Sequence, residues 1–396
     1  MSLRGLRILM CHNRYRPPAG GEDLSASAEV ALLRQAGAEV ETYEVSNEAI
    51  PDRPGVRYGV RTVWSTESYR EVRRRLRAGR HRVLHVQNFF PLLSPAVFWA
   101  ARQEGVAVVA ALRNYRLACV NGLLYRDGRI CEDCLGRLPL PAVRHRCYRE
   151  SLLASSAVAG MIISHRVLRT WQRAVDVFVT PSQFARRKLA QAGLDASRIL
   201  VKPNFVHPDP GPRRGEGGFV VYAGRLSPEK GIRTLLDAWR ALDGAVRLVV
   251  VGAGPLQSEI QRAARELPGI EFRGQAEPSE VLRLMGEAAL VVVPSVWYET
   301  FGRVVAEAFA VGTPVVASNI GPLAEMVEPG RNGALVPPGD PGALAATVRE
   351  LLADPDSLAT MREGARRTYE AYYTAGRNLE LLEAIYATAM ERSRVG

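Results

Sequence analysis

Two glutamates, Glu299 and Glu307, bracket a glycine at the start of an apolar helical pattern in residues 293–316, VPSVWYETFGRVVAEAFAVGTPVV. A small residue such as Gly302 at a helix N-terminus lets an anion approach unpaired N–H groups at the positive end of the dipole. Carboxylates flanking such a site suit the hydroxyls of a sugar and a ribose better than the phosphate itself; the alternative is two glutamates decorating a surface helix. A second segment, residues 220–235, reads VVYAGRLSPEKGIRTL. Its apolar strand ends at Tyr222-Ala223, Gly224-Arg225 turns outward, and Pro228-Glu229-Lys230-Gly231 opens another helix. Arg225 offers a fixed fork and Lys230 a mobile point charge to the oxygens of one diphosphate. A third segment, residues 248–255 (LVVVGAGP), runs an apolar strand into Gly252 and Gly254. Glycines there serve close packing as readily as phosphate approach.

In this combination and order, the three segments resemble the C-terminal domain of retaining glycosyltransferases of family 4 with the GT-B fold. The marks of that family are two glutamates separated by seven residues, Glu299 and Glu307 here, and an upstream G-R-L-x-x-x-K-G, here Gly224 to Gly231. The resemblance implies an α/β chain of two Rossmann-like doubly wound parallel-sheet domains facing each other across a cleft. It implies transfer of a sugar from a nucleotide-sugar donor to a hydroxyl acceptor, in cell-envelope, polysaccharide or secondary-metabolite glycosylation, without a catalytic metal. UDP is favoured as the nucleotide because it is common among such enzymes. Glu299 would hold donor sugar hydroxyls and Glu307 the ribose. Arg225, Lys230, the Gly20-Gly21 loop and the helix start at Thr300-Phe301-Gly302 would stabilise charge on the departing diphosphate. Gly224, Gly252 and Gly254 would line the nucleotide, with Phe272-Arg273-Gly274-Gln275 near its base. No residue is an evident covalent nucleophile, so retention would follow front-face attack. GT-B-fold phosphorylases and sugar-nucleotide epimerases are rival readings of the same residues. A catalytically silent protein that binds an anionic polymer is another, although it would predict damaged motifs. One position departs from the family pattern: Arg113 stands where relatives commonly carry a histidine close to the sugar. Arginine does not titrate near neutral pH and would bind a phosphate or an acidic sugar instead. His85 and His165 are expected to be packing residues.

The elements that must position these residues alternate between strand-like and helix-like runs, which argues for parallel sheets wound by helices. Strands are expected at 8–11, 39–44, 83–86, 106–112 and 177–179, then at 219–222, 247–251, 270–273, 290–293, 315–317 and 333–336. The Pro- and Gly-rich stretch 202–218 is the best linker. It sets expected boundaries of 1–205 for an acceptor-binding domain, with a cysteine-containing insertion at about 114–150, and 206–375 for a nucleotide-sugar domain; a helix over 376–396 would return to the first. With 396 residues and 47% hydrophobic content, the chain has ample material for two cores.

Charge is uneven. Residues 1–200 carry 31 basic and 17 acidic side chains, net +14, while the rest is −3. The arginine run from Arg73 to Arg77, continuing to Arg80 and Arg82, reads either as a solvated helix face or as an attractor of anionic lipid headgroups or an acidic acceptor. Nucleic acid is a poor partner, because no helix-turn-helix or RNP-like motif accompanies the arginines. The opening Leu6-Arg7-Ile8-Leu9-Met10 reads as a buried strand, and the apolar run 151–164 is too short to span a bilayer. A cytoplasmic protein, with peripheral contact at the inner membrane face, is the expectation.

Four of the five cysteines fall close together: Cys119, Cys131, Cys134 and Cys147. The Cys131–Cys134 knuckle with one thiol on each side would suit a structural tetrahedral zinc, although the spacing is not that of a two-knuckle ribbon. Buried thiols and, less readily in a reducing compartment, disulfides are the alternatives. Cys11 is expected to be a small core residue.

Overall fold

The computed structural model describes residues 2–16, 21–51 and 55–395. They form two compact units, one comprising 1–124, 132–203 and 378–396, the other 125–131 and 204–377.

The first unit holds a six-stranded parallel sheet of β1 (Arg7–Arg14), β2 (Glu39–Ser46), β3 (Val83–Asn88), β4 (Ala107–Ala111), β7 (Val177–Thr180) and β8 (Ile199–Val201), in the order β2-β1-β3-β4-β7-β8. The intervening β5 (Tyr125–Arg126) and β6 (Arg129–Ile130) form a small antiparallel hairpin counted with the second unit. Strand β8 escapes the sequence pattern because three apolar residues directly before the linker give no period to read. Successive side chains of a strand face opposite sides of its sheet. Leu9, Cys11, Leu84 and Val86 therefore enter one core, while Ile8, Met10 and Val83 enter another with Leu382, Ile385 and Tyr386 of the terminal helix Ala375–Val395.

The second unit holds β9 (Phe219–Ala223), β10 (Arg247–Val251), β11 (Ile270–Gly274), β12 (Leu290–Val293), β13 (Val315–Ser318) and β14 (Gly333–Val336), ordered β11-β10-β9-β12-β13-β14 and all parallel. Its strands read as unbroken apolar runs because helices bury both faces. Val221, Val249 and Val291 pack under Phe309, and Val220, Val250 and Val292 under Trp239. Strand order reverses between β9 and β12, so their outgoing loops diverge and leave a crevice at the carboxyl edge.

The zinc clip drawn from the cysteine spacing is not formed. Among the described residues no three histidine, cysteine, aspartate or glutamate side chains gather as a metal set, and none of the five cysteines is in a disulfide. The thiols go separate ways. Cys119 donates to Asn121 Oδ1, Cys134 is buried in the apolar core, and Cys147 packs against that core. Cys11 is a fully buried core residue whose thiol is pushed far above its ordinary pKa by burial.

The arginine run also finds local partners. On the helix Thr66–Gly79, Arg73 and Arg77 pair with Glu104, Arg74 with Glu71, and Arg75 with both Glu71 and Glu41. This face is largely neutralised, which favours the solvated reading over an anion-attracting one. Among the described residues no helix is long and apolar enough to cross a membrane.

Candidate functional site

The residues picked out by type and spacing in the second unit converge on the crevice at its switch point. Strand β9 delivers Gly224 and Arg225, β10 delivers Gly252 and Gly254, and β12 delivers the loop 294–302. The backbone explains the glycines. A Cβ at Gly252, held at φ 143°, would collide with Gly224 O, and one at Gly254 with Leu226 O. Leu226 N donates to Ala253 O at 2.9 Å, lacing the two loops together. Tyr222 Oη donates to Arg225 O at 2.9 Å and fixes that turn; burial, reinforced by Glu299 and Glu229, keeps this phenol protonated.

The loop after β9 is locked to the loop after β12 in the same way. Gly231, at φ 73°, starts the helix Ile232–Leu242 against Pro294, whose carbonyl leaves no room for a Cβ. Val296 N donates to Glu229 O at 2.9 Å. On this frame Lys230 Nζ lies 2.6 Å from Glu299 Oε1, which also accepts from Ser295 Oγ at 2.9 Å. The ammonium sits 5.5 Å from the Trp297 ring centre, within cation–π range. Trp297 was not singled out from the sequence, where nothing but its place beside Glu299 pointed to it. Its indole Nε1 is buried without a hydrogen-bond partner.

Glu307, on the helix Arg303–Ala310, accepts from Arg303 Nε at 2.7 Å, one turn back. Gly302 caps this helix, and a Cβ there would press on Leu323 Cδ2 at 2.9 Å and Met326 Sδ at 3.1 Å. Side-chain packing therefore crowds a position chosen for anion approach. Phe301 is buried against Tyr373, Thr300 is half-buried, and Gln275 is exposed just after β11.

In the first unit, Gly21 opens the helix Gly21–Gln35, whereas Gly20 lies outside the described residues. Arg113, just beyond β4, donates from Nη2 and Nε to Gln87 Oε1 at 2.7 and 3.1 Å and stands 3.5 Å from Glu29. Behind it lies a buried charge cluster that sequence reading did not find. Glu29 Oε2 is 2.7 Å from Lys202 Nζ, and Glu29 Oε1 accepts from Gln87 Nε2 at 2.6 Å. Lys202 also donates to Asn378 Oδ1, and His85 Nδ1 is 2.8 Å from Tyr386 Oη. Burial alone would raise the Glu29 pKa, but the cations Lys202 and Arg113 outweigh it and hold it at about 2. Burial pulls His85 down to about 4, so its imidazole is neutral at neutral pH. His165 is likewise buried and bonded, to Thr170 and Val63 O.

At the switch point the structure brings together Lys230, Glu299 and Ser295, while Glu307 pairs with Arg303 on the following helix. The chain matches the family described as glycosyl transferases group 1 over residues 207–368, and the glycosyl transferase 4-like domain over residues 19–204. The two matches together span most of the chain, which belongs to the group 1, family 4-like glycosyltransferases. Among curated relatives it is 38% identical over 162 residues to a glycogen synthase of Mycobacterium tuberculosis, covering 39% of each chain. It is 33% identical over 228 residues to a phosphatidyl-myo-inositol mannosyltransferase of Mycobacterium leprae, covering 54% of this chain and 58% of that one. The matched part therefore spans between two and three fifths of those relatives' own length. Two solved structures share the whole fold. HepE of Anabaena in complex with UDP aligns over 96% of this chain and 100% of its own with a TM-score of 0.68 at 20% identity. A sucrose-phosphate synthase of Thermosynechococcus elongatus aligns over 97% and 99% with a TM-score of 0.70 at 18% identity.

Proposed function

We propose that this chain transfers a glycosyl unit, with retention of anomeric configuration, from a nucleoside diphosphate sugar to a hydroxyl acceptor. The observation that carries the reading is the Lys230–Glu299 pair at the switch point of the second sheet, 2.6 Å apart and mostly shielded from solvent. The second unit would bind the donor and the first the acceptor. In this reading Lys230 and Arg225 take the diphosphate oxygens, aided by the helix start at Thr300-Phe301-Gly302. Their charge matters most as the bond to the leaving phosphate breaks and negative charge grows there. Glu299, released from Lys230, orients the hydroxyls of the donor sugar, and Glu307 holds the ribose. Gly224, Gly252 and Gly254 let the backbone approach the nucleotide, with Gln275 at the base. The acceptor hydroxyl would attack from the face the diphosphate leaves, and a diphosphate oxygen would take its proton. UDP is the favoured nucleotide; HepE, which shares the fold, was solved with UDP-glucose.

A thermal melting screen in EDTA with UDP, GDP, ADP and TDP tests this. A ligand that binds only the folded chain raises its melting temperature. UDP is expected to give the largest shift without added divalent metal. No shift with any nucleotide would overturn the glycosyltransferase reading.

A further inference from the structure

One hollow in the first unit has no part in the chemistry above. Helices Val56–Val63 and Leu152–Val167 approach closely at Gly59, where an added Cβ would come within 3.2 Å of Ala157 Cβ. Beside this crossing opens a cavity of about 640 Å³, the size of a small-ligand site, lined mainly by apolar atoms of Val60, Val63, Leu92, Leu153, Val158 and their neighbours. Val56, Val60 and Leu153, all lining it, are 68%, 62% and 59% exposed. An apolar hollow of this kind is poorly filled by water, and apolar side chains around it gain from contact with hydrocarbon.

The charge at the hollow is one-sided. Among the described lining residues no side chain is acidic, and Arg149 is the one that carries charge. Arg149 is held at φ 55°, a strained conformation for a residue with a Cβ. It stands just before Ser151, which caps the helix Leu152–Val167 and also lines the hollow. Arg57 is exposed on the opposite helix. Hydrocarbon lining with one cationic side chain, Arg149, matches an amphiphile with an alkyl chain and an anionic head.

We propose that this cavity binds one hydrocarbon chain of a phosphate-headed lipid, with Arg149 on the phosphate, and that this lipid carries the acceptor hydroxyl. The last clause rests on the glycosyltransferase reading; the binding site itself does not. The arginine run of the helix Thr66–Gly79, neutralised by its own glutamates, is not needed for it.

The test is calorimetric titration of the full chain with dodecyl phosphate below its micellar concentration, with dodecanol and inorganic phosphate as separate arms. Dodecyl phosphate is expected to bind saturably and inorganic phosphate not to. Gly160 lines the cavity, and nothing lies within 4 Å of a Cβ added there. Gly160→Leu fills the space while replacing a helix-interior glycine by a better helix former, so folding is not at risk. It should weaken dodecyl phosphate at least about tenfold. Arg149→Gln should weaken dodecyl phosphate and leave dodecanol unchanged. Absence of saturable binding, or equal affinity in Gly160→Leu, overturns the proposal. A chain stabilised by UDP that ignores dodecyl phosphate sinks the cavity inference alone. One that binds dodecyl phosphate but no nucleotide keeps the site and sinks the acceptor role.

Discussion

Removing Lys202 should unfold the first unit far more readily than its single hydrogen bond would suggest. Lys202 and Glu29 are both at most 3% exposed, and their charged atoms are 2.7 Å apart. Taking away one partner of a buried ion pair leaves the other charge without compensation, which costs about 3–5 kcal/mol. In Lys202→Met the Glu29 carboxylate keeps the Gln87 amide, the neutral His85 ring at 3.4 Å and Arg113 at 3.5 Å. For a unit of this size, about 2–4 °C of melting temperature follows each kcal/mol, so a fall of about 6–20 °C is expected. The double variant Glu29→Gln, Lys202→Met removes both charges and should recover most of that loss, because the desolvation of two ions disappears with their attraction. Differential scanning calorimetry is the assay, since a chain of two units need not melt in one step. A Lys202→Met chain that melts with the parent would refute the argument. So would a double variant whose loss equals the sum of the single losses, because the pair would then be uncoupled.

The same cluster predicts acid sensitivity. Folded His85 titrates near 4 rather than 6.5, so between those values the unfolded chain takes up a proton that the folded one refuses. The first unit should lose about 3 kcal/mol as pH falls from 6.5 to 4, and Glu29, held near 2 rather than 4.5, should add a further loss below that; a flat urea midpoint over this range would contradict both. In the second unit, Lys230→Ala should weaken UDP binding and slow turnover together, whereas Glu299→Gln should slow turnover with UDP binding unchanged or tighter, because it frees the ammonium. Titration calorimetry with initial rates separates the two, and poor UDP binding with normal turnover in Glu299→Gln would reverse the roles assigned to them.

Local signals in the sequence carried the second sheet well. Its central strands β9, β10 and β12 are short, mostly apolar runs followed by glycine or proline, and burial on both faces is what makes such runs continuous. Three motif glycines were legible for a different reason: Gly231, Gly252 and Gly254 sit where a Cβ would strike another stretch of backbone. Type and position alone did not tell why a glycine is needed. Gly302 was chosen for anion approach, and the side-chain ends of Leu323 and Met326 crowd the same spot. The cysteine cluster misled because spacing in sequence says nothing of where each thiol points; Cys134 faces the core and Cys119 turns to Asn121. Glu29 was invisible because its partners, Gln87, Arg113 and Lys202, come from three different strand ends. Its own neighbours on the helix Gly21–Gln35 give no hint that a carboxylate points inward.

The two charge pairs at strand ends, Glu29–Lys202 and Glu299–Lys230, have the same chemistry and nearly the same separation, but their surroundings give them opposite capacities. Glu29 is surrounded by three donors, and both partners are closed off from solvent, so any ligand would have to break a compensated buried network to reach them. That cluster is suited to holding Arg113 and the strand ends in place. Lys230 keeps 26% of its side chain exposed, and Glu299 keeps 12%. The pair is therefore partly solvated, and its attraction is weakened by water. An incoming diphosphate offers Lys230 more negative charge than one carboxylate does, so exchange of partners is favourable there. Such an exchange would release Glu299 Oε1 from Lys230 while Ser295 still donates to it. If the proposed function holds, what separates the two pairs is solvent access, not residue type.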